Sequence, residues 1–192
     1  MFERIKKQSL KKLVIMLWNV IRMGYLHIRF GSKAQVSFLQ NIHPTTELAI
    51  EKGTMKLSHS VFTRKNNSFR VVEGRLIIGT SFFNQGCTIT ALKCISIGDN
   101  CLFGPNVVIV DHDHDYKYLD TQRGNHYLMD DVFIEDNVWI GANVTILKGT
   151  VIGENSVVGA GTVIKGVYPA NSLIMSDNRS ILVKQIVRKQ DE

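Results

Sequence analysis

The stretch IEDNVWIGANVTILKGTVIGENSVVGAGTVI, residues 134–164, carries a period of six. Large aliphatic residues recur as Ile134, Ile140, Ile146, Ile152, Val158 and Ile164, and Gly141, Gly153 and Gly159 directly follow three of them. Four residues after each of the first five stands a small or β-branched residue: Val138, Val144, Thr150, Ser156 and Thr162. A helix repeats its faces about every 3.6 residues and a strand about every two, so neither makes this comb. A six-residue side of a triangular coil does. Each side is a short strand with one aliphatic side chain pointing inward, a small residue near the corner, and Gly or Asn in the turn, where a positive φ suits them. Three sides make a turn of about 18 residues, and stacked turns pair edge to edge as parallel sheets.

Upstream the spacing is more ragged. Ile78-Gly79 and Ile97-Gly98 lie 19 residues apart, one more than a regular turn, which predicts a single-residue bulge; Phe103 and Ile109 then keep the step of six. Before residue 78 the pattern fades, although Val36, Ile42 and Leu48 fit it loosely. The expected fold is all-β, a parallel β-helix over residues 31–192 behind a helical segment over residues 1–30.

The 192 residues are 44% hydrophobic with 15 Gly and 3 Pro, a balance that excludes collagen, mucin and a largely disordered chain. A net charge of +6 favours an anionic partner without choosing among membrane surface, nucleic acid, phosphorylated sugar and anionic coenzyme. Cys87, Cys94 and Cys101 match no zinc or redox spacing, and read as reduced, buried residues of a cytoplasmic protein.

At the N-terminus Arg4, Lys6, Lys7, Lys11 and Lys12 precede the apolar run Leu13 to Trp18, which Val20 and Ile21 continue after Asn19. That run is shorter than the roughly 20 residues a helix needs to cross a bilayer, and Arg22-Met23-Gly24-Tyr25 offers no small-residue cleavage site. The segment is expected to be a basic amphipathic helix. It packs on the domain or a subunit, as apolar stripes on short helices usually do, or lies on an anionic membrane face.

Three segments, IGDNCLFGPNV at 97–107, VWIGANV at 138–144 and VIGENSVVGAGTVI at 151–164, resemble the left-handed parallel β-helix of the hexapeptide-repeat acyltransferases. The chain is most similar to the galactoside, maltose and polysaccharide acetyltransferase branch, over about residues 77–170. The resemblance implies a left-handed coil with a short C-terminal helix, acetyl-coenzyme A as co-substrate, no metal, and a homotrimer with active sites in clefts between neighbouring prisms. Nucleic acid is not an expected partner.

Residues 110–131 interrupt the repeat, and a protruding loop of that length in a regular coil points to function. It contains Asp111-His112-Asp113-His114-Asp115-Tyr116; if the segment is extended, both histidines share one face and the aspartates the other. Acyl transfer from a thioester to a hydroxyl needs a base, and neutral imidazole has the right basicity near pH 7. The resemblance assigns that role to His114, counted without gaps from Pro105-Asn106-Val107, with His112 the alternate. Rival readings fit less well. An EF-hand would need Gly where Tyr116 stands and Glu where Gln122 stands, and His112, His114 and His126 lack the spacing of the zinc-binding relatives of this fold.

The resemblance further implies that Asn84 bonds the acceptor beside the base, unless it only fills a turn. Trp139 flanks the coenzyme and acceptor cleft or makes a trimer contact. Gly141, Ala142, Gly159, Ala160 and Gly161 let the pantetheine arm run along the coil, while Lys165 and Lys184 reach the coenzyme phosphates. Ser176, Asp177, Asn178 and Arg179 stand where the family often has Gly-x-Pro-Ala, so the adenine end of the coenzyme site departs from the pattern.

The function implied is acetyl-coenzyme A-dependent O-acetylation of a sugar hydroxyl on a cell-surface polysaccharide or its lipid-linked precursor. The expected location is cytoplasmic, or peripheral at the inner face of the membrane. The alternatives are N-acetylation of a nucleotide-linked amino sugar and, in another class, a non-catalytic β-helix that binds or supports.

Overall fold

The computed structural model describes residues 2–118 and 126–176, with residues 2–12 as helical backbone only. Among these residues a helix, α1 (Phe2–Phe30), precedes a coil whose sides pass in rotation to three parallel sheets. The first face stacks Ala34–Val36, Thr54–Leu57, Arg75–Ile78, Cys94–Ile97, Val132–Ile134, Val151–Ile152 and Val167–Tyr168. The second stacks Phe62–Thr63, Phe82–Phe83, Leu102–Phe103, Trp139–Ile140, Val157–Val158 and Leu173–Ile174. The third stacks Glu47–Ile50, Ser68–Val71, Thr88–Ala91, Val108–Val110, Thr145–Ile146 and Val163–Ile164. The result is a three-sided parallel solenoid of about seven turns, in keeping with the left-handed β-helix expected from the repeat. The expected short C-terminal helix lies outside the described residues.

The aliphatic comb points inward as its spacing requires. Ile134, Ile140, Ile146, Ile152, Val158 and Ile164 are all buried, each stabilised by roughly 1.5–3 kcal/mol on removal from water. The corners carry the expected left-handed residues. Asn100, Asn137, Asn155 and Asn171 adopt positive φ between the first and second faces, and Asn66, Asn106 and Asn143 between the second and third.

The coil is present where the period fades: it begins at Ala34, with Val36 and Ile42 buried in its first turn. Its early turns are longer: Met55 pairs with Leu76, and Phe83 with Phe103. Most of their first- and third-face strands are four residues long and bury at least two side chains, such as Met55 with Leu57 and Phe69 with Val71. A comb of six, built on one inward residue per side, misses them. The expected bulge between Ile78 and Ile97 is absent, since the parallel register from Arg75↔Cys94 to Ile78↔Ile97 is unbroken. The additional residue reflects these longer strands.

α1 covers the N-terminal end of the coil. Over residues 13–30, Asn19, Met23 and Leu26, spaced four and three apart, are buried. The Asn19 amide donates to the Ile42 carbonyl at 2.9 Å, Arg22 donates to the Thr46 carbonyl, and His27 Nε2 meets the Val36 carbonyl at 2.8 Å. The helix also proves longer and more continuously apolar than the short run suggested: Leu13–Lys33 is long and apolar enough to cross a membrane, with 17% of its richest window buried.

Candidate active site

The described part of the protruding segment is an antiparallel strand pair. His112–His114 pairs with Tyr127–Met129, with His114 opposite Tyr127. It rises at the edge between the third and first faces, where Val108–Val110 would otherwise turn directly into Val132–Ile134. The Asp115 amide donates to the His126 carbonyl at 3.0 Å, and the Asp130 amide to the Asp111 carbonyl at 2.9 Å, so both ends of the paired segment are closed.

Alternation sets the two histidines on one side of the strand: both imidazoles meet the Tyr127 ring, His112 at 5.7 Å and His114 at 4.8 Å between centroids. Asp111, fully buried, accepts the backbone amides of Leu92 and Lys93 at 2.7–3.1 Å. Its Oδ1 also lies 3.1 Å from His112 Nδ1. A carboxylate held by two amides is an acceptor, so the Nδ1 that faces it carries a proton. His112 is thereby fixed in ring orientation, with its side chain 16% exposed. His114 stands more open to solvent at the end of the same strand.

Lys148, one turn further along the same edge, is a residue that the comb of six conceals. Nearly buried, it donates to the Leu128 carbonyl at 3.0 Å and pairs with Asp113 at 3.3 Å. It thus holds both strands of the hairpin to the coil, at the residue between the two histidines. The only sequence signal is a lysine directly before the turn glycine Gly149.

The remaining predicted residues lie on another edge. Asn84, Gly141, Ala142, Gly159, Ala160 and Gly161 occupy the turns between the second and third faces, and Trp139 is exposed on the second face beside them. A whole third face, on the order of 15 Å at about 3.3 Å per residue, separates them from the hairpin within one chain. Asn84 accepts the Gln85 amide at 2.9 Å and caps its own turn. A Cβ on Gly141 would meet the Ala160 nitrogen at 2.6 Å, so stacking of the coils by itself demands glycine there. Lys165 is exposed at the third-to-first edge, one turn beyond Lys148. Lys184 lies outside the described residues.

Cys87, Cys94 and Cys101 are buried free thiols. Desolvation pushes Cys87 up to about 11, opposed by hydrogen bonds from the backbone at Val107 and Asn106, so its thiol is a poor nucleophile. Among the described residues no group of three His, Cys, Asp or Glu side chains is disposed to hold a metal. His126 stacks instead on Tyr118, with 3.8 Å between centroids.

Coil and repeat together resemble those of the hexapeptide-repeat proteins. The family model for the bacterial transferase hexapeptide (six repeats) matches residues 131–166, and that for the hexapeptide repeat of succinyl-transferase matches residues 94–110. Among solved structures, the chain is similar in fold to a hexapeptide-repeat-containing acetyltransferase from Vibrio cholerae. The identity is 22%, over 97% of this chain and 94% of that one, with a TM-score of 0.53. The acetyl-coenzyme A complex of the acetyltransferase from Vibrio cholerae O1 biovar eltor matches at 26% identity, over 72% and 67% of the two chains, with a TM-score of 0.48. AntD, an N-acyltransferase from Bacillus cereus solved with dTDP and 3-hydroxybutyryl-CoA, matches at 16% identity, over 74% and 78%, with a TM-score of 0.51. Comparison with curated protein sequences gives no match.

Proposed function

We propose that the protein is an acetyl-coenzyme A-dependent acyltransferase that acetylates a sugar hydroxyl on a cell-surface polysaccharide or its lipid-linked precursor. The observation that carries this reading is the hairpin, which sets two histidines on one face at the edge of a transferase-type repeat. His114, the more open of the two, is the general base, and takes the acceptor's proton as its oxygen attacks the thioester carbonyl. A backbone amide at a prism corner donates to the oxyanion that forms, and the bond to sulfur then breaks to release coenzyme A. His112, tied to Asp111, is the alternate base.

The distance between the hairpin and the edge bearing Asn84 and Trp139 supports a site shared by neighbouring copies, as a homotrimer would provide. So does the second face, whose outward side chains Phe62, Leu102, Trp139 and Leu173 form an exposed apolar ladder. The test is coenzyme A release from acetyl-coenzyme A across a panel of sugars, oligosaccharides and nucleotide-sugars. Acceptor-dependent release should fall about 100-fold or more in His114→Ala and less in His112→Ala. Absence of release with every acceptor, together with no coenzyme binding by calorimetry, would overturn the reading.

A further inference from the structure

We propose that the outer face of α1 lies on a bilayer surface rich in anionic headgroups, so that the solenoid stands on the membrane by its N-terminal end. The inference is independent of the chemistry at the hairpin. It rests on how one helix divides its residues between the coil and solvent.

The inner side of α1 is committed. His27 bonds to the first face at Val36, Asn19 to the first turn at Ile42, and Arg22 to the corner before the third face at Thr46. These contacts cross the end of the coil from one face to the next corner, so the helix lies over that end as a cap. From Leu13 onward its outer side is apolar. Val14, Leu17, Ile21 and Ile28 are 57%, 54%, 68% and 89% exposed, at the spacing of one helical stripe, with Trp18 and Tyr25 beside them. Trp and Tyr are the side chains that settle at a water–lipid boundary.

The charge distribution selects the occupant. Residues 1–33 contain eight Lys and Arg (Arg4, Lys6, Lys7, Lys11, Lys12, Arg22, Arg29, Lys33) against Glu3 alone, a net of 8 − 1 = +7. The whole chain carries +6, so residues 34–192 sum to 6 − 7 = −1. The basic surplus thus belongs entirely to the capping segment. A second copy docking on this stripe would bring +7 against +7, whereas an anionic bilayer offers hydrocarbon to the stripe and opposite charge to the segment's net +7. A spanning arrangement fits less well, because it would pull Met23 and Leu26 from the coil and leave Asn19 and Arg22 without their carbonyls.

The test is co-sedimentation of the full chain with vesicles of phosphatidylcholine alone and of phosphatidylcholine with about one third phosphatidylglycerol. Binding to the mixed vesicles should exceed that to the neutral ones at least tenfold, weaken with added salt, and shift Trp18 fluorescence to the blue. Ile21→Glu with Ile28→Glu should abolish binding and leave the melting temperature and coenzyme A release unchanged. Equal sedimentation with both vesicles, or binding indifferent to the double variant, would overturn the proposal. A double variant that instead changes the molecular mass in sedimentation velocity would give the face to a second copy.

Discussion

Lys148 places its ammonium nearly out of solvent, between the Asp113 carboxylate and the Leu128 carbonyl, and so fixes the strand that carries both histidines. Lys148→Met keeps the volume of the stem and removes both contacts. In the proposed reaction it should lower kcat on the order of 10- to 100-fold by misplacing the base, while the melting temperature moves little; steady-state kinetics beside thermal melts would check this. Cys87 makes a prediction about pH. Its thiol ionises near 11 in the folded protein against an ordinary 9.0, so below 9 it is neutral in both states and costs nothing. Between about 9 and 11 only the unfolded chain loses the proton, so stability falls as pH rises through that window. Thermal melts across pH 8–11 should therefore show a shallower decline for Cys87→Ala than for the parent chain.

At the level of elements, the coil has two registers. The two-residue strands from Trp139–Ile140 to Val163–Ile164 bury one side chain each, while most early strands of the first and third faces bury two or more; between the first and third faces Phe103 stacks on Phe83 at 4.4 Å with Phe69 at the Phe83 edge. Phe103→Ala should cost about 3–5 kcal/mol, read from denaturant unfolding, since rigid coils above and below cannot collapse into the space. The regular late turns were legible because a single inward residue per side prints its period directly on the chain. The early turns were not, because two inward residues per strand and turns of 19–21 residues look locally like ordinary strand alternation. The histidines of the candidate site were legible from the break in the repeat. Lys148 was not, since its role depends on which edge of which turn lies beneath the hairpin, and spacing along the chain is silent on that.

For the whole molecule, the hairpin and the Asn84 edge lie on opposite sides of one face. If adjacent copies complete each other's site, co-expression of His114→Ala with Asn84→Ala chains should restore about a quarter of parent activity, the share of clefts that draw both intact halves by random assembly. Each variant alone should remain impaired, and purified mixtures that never exchange subunits should show no recovery. In a rotationally symmetric assembly the caps of all copies lie at one end, so several α1 helices would face a membrane together and bind it with a multiplied grip.

That arrangement turns the coil into a ruler. Turns stack about 4.8 Å apart, and the hairpin leaves the coil after its fourth first-face strand, Cys94–Ile97, counted from the capped end. The imidazoles therefore stand roughly 15–20 Å above the first turn. A solenoid resting on lipid would work at that fixed altitude, and would choose among acceptors by how far the reacting sugar is held from the bilayer as well as by its shape.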